Sequence, residues 1–208
     1  MLLTFDTCLD KTYIGLADKK TNFKDTIIVE NEGNKYHSAF LISNIRDILK
    51  KHNLTPNDIT TIATDIGPGS FTGIRACMTV AKVMAQQLNI KITGVSSLEI
   101  LSKIKKTENT PLVLLDARKN KVYVWEKQIL GAIPTEEVQE KVKAGKYSLI
   151  TDDSMFEIFS PITDDIVSYT QINPNLAEIL TDISFKKEAV NWEDLTPLYI
   201  QPPPVFGK

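Results

Sequence analysis

The chain has 208 residues, of which 42% are hydrophobic and 24% are charged, and its formal net charge is -2. This composition is that of a folded globular protein of one or two domains, which excludes the disordered and collagen-like classes and argues against nucleic-acid binding by the surface as a whole. No apolar run approaches the roughly 18 residues of a membrane span, and acidic residues stand where a signal peptide would be basic. We therefore expect a cytoplasmic protein without membrane association.

The first half of the chain predicts a mixed sheet with helical crossovers. The apolar runs LLTF, TYIGLA and DTIIVE, separated by short polar breaks, predict a three-stranded antiparallel meander. A helix is predicted from Tyr36 to His52, where apolar residues recur at the spacing of one helical face, and a second from Ser70 to Leu88. ITTIATDI and KITGV predict the strands that precede and follow this second helix. Crossovers between parallel strands of one sheet are expected to be right-handed.

The two halves of the chain resemble each other. LLTFDTCLDKTYIGLADK from Leu2 aligns without gaps with LVLLDARKNKVYVWEKQI from Leu112, and in both an apolar strand ends in Asp, at Asp6 and Asp116. The offset of 110 residues is too long for a solenoid repeat and favours a duplicated domain. We therefore predict two related lobes: residues 1–104, with the glycine loop and the two helices, and residues 105–208, a reduced lobe with a proline-rich tail.

The second half predicts fewer elements. A helix is expected near 135–143, strands at YSLIT and DIVSYT, and a helix at about 175–185. Three consecutive prolines in the tail predict extended backbone.

The stretch DIGPGSFTGIR, Asp65 to Arg75, has two physical interpretations. A glycine turn that opens a helix offers free N–H groups and a positive dipole end to a phosphate. Alternatively, Ser70 or Thr72 caps the helix and Gly73 lets it pack closely. The chain lacks the Walker A motif, and Gly67, Gly69 and Gly73 do not have the dinucleotide-binding spacing. The residues alone leave both interpretations open.

Other chemically active side chains predict no metal site. Cys8 and Cys77 form no C-x-x-C pair and are interpreted as buried thiols. The two histidines, His37 and His52, stand near opposite ends of one predicted helix and cannot form a local pair. The two TDD triplets, at 151–153 and 163–165, are interpreted as helix caps or turns.

Four segments together resemble the TsaB family, the non-catalytic companion of the tRNA threonylcarbamoyltransferase TsaD. The glycine stretch GPGSFTGIR resembles the family signature, and the opening LLTFDTCLDKTYIGLA, GVSSLEIL and LLDARKNKVYVW match further family segments in the same order. The resemblance covers roughly the first 128 residues. Beyond them the match fades, and Gln201 stands where the family often has a basic residue.

The resemblance implies an α/β protein of the actin-like (ASKHA, ribonuclease-H-like) fold, with two related lobes of mixed sheets flanked by helices. The family's catalytic relative carries a His-x-x-x-His metal pair where this chain has Ser97 and Leu101, so neither a catalytic residue nor a metal is expected. Asp6, Thr7 and Asp116 match vestigial nucleotide loops. The glycine loop comprises Gly67, Gly69, Ser70, Thr72, Gly73 and Arg75.

The resemblance also implies a binding surface and a set of partners. The two helices would form the partner interface, with residues Leu41, Ile45, Ile48, Ile74, Met78, Ala81 and Val83. The expected partners are a TsaD-like transferase and a TsaE-like ATPase, with tRNA met through the complex and a homodimer when the chain is alone. The implied function is a scaffold in the synthesis of N6-threonylcarbamoyladenosine at tRNA position 37. No cofactor is expected in isolation, and ATP is expected only at an interface of the complex.

Two alternatives belong to other classes. A small-molecule phosphotransferase of the actin-like superfamily would hold ATP between the loops of Asp6 and Asp116, although the second half shows no glycine-rich adenosine motif. A self-associating regulator without a role on tRNA is the other.

Overall fold

The computed structural model describes residues 1–30, 37–104 and 107–201. Tyr36, the predicted start of the first helix, and the prolines 202–204 lie outside the described residues. The chain forms two compact units. Unit 1 comprises Met1–Ser97 and Asn175–Leu198, and unit 2 comprises Leu98–Pro174 with the described residues from Tyr199 onward. The predicted division at residue 104 therefore differs from the observed one, because residues 175–198 return to unit 1.

Unit 1 contains a five-stranded sheet in the order β3-β2-β1-β4-β5, in which β1, β2 and β3 are antiparallel and β1, β4 and β5 are parallel. The predicted meander, both crossover helices and both later strands are confirmed. The elements are β1 Leu2–Asp6, β2 Thr12–Asp18, β3 Phe23–Val29, α1 Leu41–Lys51, β4 Thr61–Asp65, α2 Phe71–Leu88 and β5 Lys91–Val95. A 3₁₀ turn, His37–Phe40, precedes α1, and a short helix α3, Ser97–Leu101, follows β5.

The two faces of this sheet carry alternate residues. Leu3, Phe5 and the β2 residues Ile14 and Leu16 point to one face and pack in a core with α1 and α2. Thr4 points to the other face, where its hydroxyl lies 3.0 Å from that of Thr181 in the last helix of the chain. The β1–β2 hairpin therefore has helices on both sides, which buries β1 and all of β2 except Asp18.

Unit 2 repeats the topology of unit 1, with a five-stranded sheet in the equivalent order β8-β7-β6-β9-β10. Its helices α4 and α5 occupy the same crossovers as α1 and α2, so the predicted duplication is confirmed. The elements are β6 Thr110–Asp116, β7 Lys121–Glu126, β8 Gln128–Pro134, α4 Thr135–Ala144, β9 Tyr147–Thr151, α5 Asp153–Phe159, β10 Ile166–Ser168 and α6 Tyr169–Ile172. The helix α7, Leu176–Ser184, which belongs to unit 1, confirms the predicted helix near the end of the chain.

Several elements of unit 2 were not predicted, and one strand was predicted too long. Strand β8, QILGAIP, contains a glycine, ends in proline and does not alternate apolar with polar residues, and the helices α5 and α6 are too short for a clear periodicity. In DIVSYT the strand ends at Ser168, because α6 begins at Tyr169. Asp152 caps α5 by accepting from Met155 N at 2.8 Å, which confirms the capping interpretation of that triplet.

Among the described residues, we find no helix whose length and apolar character would suffice to cross a membrane.

Candidate functional site

Two carboxylates lie side by side where β1 and β4 end. The two strands are parallel and pair in register up to Phe5 and Thr64, so Asp6 and Asp65 follow as the next neighbours. Both are buried. Asp65 accepts hydrogen bonds from Gly67 N and from the Ser97 hydroxyl, each at 2.7 Å. Asp6 Oδ1 accepts from Cys8 N at 2.6 Å, whereas Asp6 Oδ2 has no hydrogen-bond partner in the described part of the chain.

Burial makes both carboxyl groups difficult to ionise. It raises the pKa of Asp6 well above its usual value, and the neighbouring Asp65 carboxylate raises it further. Burial also raises the pKa of Asp65 to about 7, although the hydrogen bonds from Gly67 and Ser97 oppose the shift. Two adjacent buried carboxylates therefore titrate as a pair, and the pair retains a proton near neutral pH.

Two thiols complete this cluster. Thr7 N donates to Cys77 Sγ at 3.0 Å, and the Thr7 hydroxyl, also 3.0 Å from that sulfur, donates to Gly73 O at 2.7 Å. The Cys8 thiol donates to the carbonyl of Asp65 at 3.6 Å. Both cysteines are free and buried, as predicted. Burial raises the pKa of Cys8, whereas hydrogen bonds from Cys8 and Thr7 outweigh the burial of Cys77 and lower its pKa.

The glycine loop serves close packing of α2 against the β1–β2 hairpin. A Cβ atom on Gly73 would stand 1.8 Å from Thr7 O, and one on Gly69 would stand 2.3 Å from Cys8 O. Ser70 N donates to Cys8 O at 2.7 Å, and the Ser70 hydroxyl accepts from Gly73 N at 3.2 Å as the cap of α2. These two N–H groups are committed to the protein itself, which favours the packing interpretation over a phosphate cradle.

The remaining loop residues differ in their surroundings. Gly67 has φ +98° and therefore needs the conformational freedom of glycine. Thr72 and Arg75 are exposed, and the Arg75 guanidinium stacks 4.2 Å from the centre of the Phe71 ring.

The second hairpin places its acid in a different environment. Asp116 Oδ1 accepts from Arg118 N at 2.6 Å, as Asp6 Oδ1 accepts from Cys8 N. However, Asp116 is exposed, and its own N–H donates to Asp152 Oδ2 at 2.7 Å. The two predicted nucleotide-loop acids are therefore equivalent in position and in the hydrogen bond that each accepts from the residue two positions on, but not in burial.

The predicted interface residues require a correction. Leu41, Ile45, Ile48, Ile74, Met78 and Ala81 are at most 6% exposed, because they face the sheet and form the core of unit 1. Of the predicted set only Val83, at 52%, is exposed.

The outward sides of α1 and α2 form an apolar groove of about 900 Å³. Ile42, 69% exposed, and Val83 project from the two helices that line it. The apolar lining is Ile42, Ile45, Leu49, Leu54, Pro56, Val80, Val83, Met84 and Leu88, so the predicted interface residue Ile45, although buried, borders the groove. The basic residues Arg46 and Lys50 also line the groove.

At the two positions that the resemblance aligns with the transferase's histidine pair, Ser97 and Leu101 have structural contacts. The Ser97 hydroxyl donates to Asp65, and Leu101 is fully buried. His52 Nε2 lies 2.7 Å from Asp25 Oδ2 on β3, so this histidine fixes the end of α1 to the sheet. The side chain of His37 lies outside the described residues.

Sequence reasoning missed two partners of Asp6. The proximity of Asp65 to Asp6 could have been predicted from the sequence, because parallel strands end at the same edge of a sheet. The proximity of Cys77 could not, because it depends on the rotation of α2, which the contact of Gly73 with the hairpin fixes.

Comparisons with known proteins agree with the resemblance read from the sequence. The family model described as "TsaD: tRNA N6-adenosine threonylcarbamoyltransferase" matches residues 26–185. The chain is 31% identical over 130 residues to the tRNA threonylcarbamoyladenosine biosynthesis protein TsaB of Buchnera aphidicola subsp. Baizongia pistaciae, covering 59% of this chain and 55% of that protein. It is 35% identical over 103 residues to TsaB of Bacillus subtilis, covering 48% and 45%. The match therefore spans about half the length of these curated relatives.

A solved structure shows the same fold. YeaZ from Pseudomonas aeruginosa superposes with a TM-score of 0.71 over 95% of this chain and 98% of its own, at 20% identity. With the repeated sheet order of the two units, this likeness confirms the predicted fold of two related lobes.

Proposed function

The chain belongs to the TsaD family, and several of its curated relatives are TsaB proteins; on that premise we propose that it is a scaffold subunit for tRNA N6-threonylcarbamoyladenosine synthesis. In this proposal it performs no catalysis itself. It pairs with a TsaD-like transferase and stabilises the active arrangement of that enzyme. A TsaE-like ATPase joins the complex, tRNA is met through the complex, and the free chain forms a homodimer.

We infer the pairing surface from one observation, the groove between α1 and α2. The groove of about 900 Å³ is a continuous apolar depression with Ile42 and Val83 exposed on two helices, rather than a set of single apolar residues scattered over the surface. Apolar residues on two adjacent helices suit the helix of a partner, since each helix offers side chains three and four positions apart. A stable pair is expected to bury on the order of 1,600 Å² in total.

We propose no catalytic role because of the residues at the two positions that the resemblance aligns with the transferase's histidine pair. Ser97 is engaged with Asp65, and Leu101 offers no ligand atom. The hairpin of Asp6 is covered by the start of α2, with Thr7 O and Cys8 O in direct contact with the glycine loop. This packing disfavours the phosphotransferase alternative, which would need the hairpin to receive a phosphate.

The test uses the purified chain and the TsaD-like transferase of the same cells. Ile42→Glu and Val83→Glu each place a charge in the groove, and Ile172→Glu is the matched control because Ile172 is 47% exposed in unit 2. Losing the burial of one such side chain costs about 1.5 to 3 kcal/mol. Each groove variant should therefore weaken pairing by roughly 10-fold to 150-fold, measured by calorimetry, with an unchanged circular dichroism spectrum.

The functional arm measures threonylcarbamoyladenosine in tRNA after depletion of the chain. Wild type and Ile172→Glu should restore the modification, and the groove variants should not. If both groove variants paired as tightly as the wild type, the proposal that the groove is the pairing surface would be refuted. Normal modification in cells that lack the chain would refute the function.

A further inference from the structure

Unit 1 brings together three side chains with ligand atoms for a thiophilic metal ion. The carboxylate of Asp6 and the sulfurs of Cys8 and Cys77 lie within 4.8 Å of one another, and all three residues are buried. Around a tetrahedral zinc ion, with bonds of about 2.0 Å to oxygen and 2.3 Å to sulfur, ligand atoms stand about 3.5 to 3.8 Å apart. Small side-chain rotations therefore close the triangle around an ion.

A second observation points to a ligand at this place. Asp6 Oδ2 is without a hydrogen-bond partner among the residues that the structure describes, although Asp6 is only 1% exposed. A buried carboxylate oxygen ordinarily has a partner, because water cannot reach it. A cation held with the two sulfurs would supply that partner.

The surrounding hydrogen bonds already suit metal ligands. Cys8 N donates to Asp6 Oδ1 and thereby leaves Oδ2 as the free atom. Thr7 N donates to Cys77 Sγ, a bond that stabilises a thiolate and fixes its direction. Thiolate and carboxylate donors together select zinc over magnesium or calcium, which prefer oxygen alone.

We propose that Asp6, Cys8 and Cys77 bind one zinc ion that fixes the β1–β2 hairpin to α2. The site was not expected from sequence spacing, because the two cysteines are far apart in the chain and only the fold joins them. Binding forms one Zn–O and two Zn–S bonds, one water that enters the site with the ion is the fourth ligand, and each thiol releases its proton to solvent. No oxidation or reduction takes place, and affinity increases with pH.

The experiment titrates the reduced, metal-free protein with Co²⁺, which reports thiolate ligation by a charge-transfer band and tetrahedral geometry by intense d–d bands. We expect one ion per chain, displaced by Zn²⁺. Cys8→Ser, Cys77→Ser and Asp6→Asn should each weaken binding more than ~100-fold, since loss of an outer partner alone costs up to that factor. Asp116→Asn is the matched control, because Asp116 is the equivalent acid of the second hairpin, and it should bind as the wild type does.

A measurement on the unsubstituted protein covers variants that fail to fold. X-ray absorption of the zinc-loaded protein should show two sulfur neighbours at about 2.3 Å. The proposal is overturned if the cobalt spectrum lacks the thiolate band, if both cysteine variants bind as the wild type does, or if zinc has only nitrogen and oxygen neighbours. In those cases Asp6 Oδ2 is served by a proton shared with Asp65. Because the groove is not involved, failure here leaves the pairing proposal untouched.

Discussion

Replacing Gly73 by Ala tests whether the glycine loop exists for packing. Gly73 lies in the first turn of α2, where Ala is intrinsically favoured over Gly by about 1 kcal/mol. Helix propensity alone therefore predicts a more stable protein. The new Cβ would, however, stand 1.8 Å from Thr7 O, which is backbone and cannot rotate away.

The expected loss follows from the shift that this contact forces. An ordinary contact begins at 3.4 Å, so Gly73 and the hairpin must separate by 1.6 Å, the difference between 3.4 and 1.8 Å. Such a shift breaks three hydrogen bonds: Thr7 Oγ1 to Gly73 O, Thr7 N to Cys77 Sγ, and Ser70 N to Cys8 O. At about 1 to 2 kcal/mol each when buried, their loss outweighs the gain in propensity. Gly73→Ala should lower the free energy of unfolding by about 2 to 5 kcal/mol.

The assay is urea unfolding followed by circular dichroism, with thermal unfolding alongside. The midpoint of thermal unfolding should decrease by about 4 to 20 °C. Thr79→Ala is the control, because Thr79 is exposed on the same helix and gains propensity without a new contact. If Gly73→Ala were as stable as Thr79→Ala, the packing interpretation would be refuted and the phosphate interpretation of the loop would return.

Three further predictions concern the core, the carboxyl pair and the end of α2. Ile45→Ala and Met78→Ala should each lower the free energy of unfolding by about 2 to 5 kcal/mol, whereas Ile42→Ala should change it by less than about 0.5 kcal/mol. If urea unfolding gave equal effects for all three variants, the burial of Ile45 and Met78 would be contradicted. In chelator-treated protein, the folded state retains the Asp65 proton up to a pKa of about 7, whereas the unfolded state loses it near 3.8. The free energy of unfolding should therefore decrease as the pH rises between these two values. Asp65 contributes at most roughly 4 kcal/mol to this decrease, and Asp65→Asn should make the measured pH profile shallower, while the contribution of Asp6, whose pKa is also raised, remains. Asn89→Ala should lower the free energy of unfolding by about 1 kcal/mol and Asn89→Gly should leave it unchanged, because Asn89 ends α2 in the left-handed conformation with φ 52°. An Ala variant as stable as the wild type would contradict this reason.

The sequence predicted the elements of unit 1 well, because their periodicities are long and their turns polar. The segment of α2 is apolar on nearly every side, and this pattern is compatible either with deep burial or with packing on two sides. One side packs in the core through Cys77, Ala81 and Ala85. The opposite side contributes Val80 and Val83 to the groove. Periodicity does not tell which apolar side meets the protein's own sheet. Met78 is buried in the core, whereas Ile45 is buried and also lines the groove.

The site was less predictable than the fold, because its members come from separate elements. The ends of parallel strands indicate that Asp6 and Asp65 are neighbours. The distance between Asp6 and Cys77 depends on how closely α2 approaches, which rests on the missing side chain of Gly73. A lone glycine in a helix pattern gives no direction of approach, so this contact could be known only from the structure.

The two hairpins show how a duplicated unit loses an equivalence that its sequence retains. The gapless alignment pairs Tyr13 with Tyr123, but Asp6 lies opposite Tyr13 whereas Asp116 lies opposite Val122. A slip of one residue moves a side chain to the other face of a sheet, so Tyr13 shares a face with Asp6 and Tyr123 does not share one with Asp116.

The helix that follows each hairpin then determines the environment of its acid. In unit 1, residues 66–70 connect β4 to α2, long enough to place Gly69 and Gly73 against the hairpin backbone and to seal Asp6 from water. In unit 2 only Asp152 separates β9 from α5, and its carboxylate accepts from Asp116 N. Asp116 stays exposed beside Asp152, whereas Asp6 and Asp65 are both buried under the glycine loop. The duplication thus leaves a sealed carboxylate–thiol cluster in unit 1 and a solvated turn at the equivalent place in unit 2.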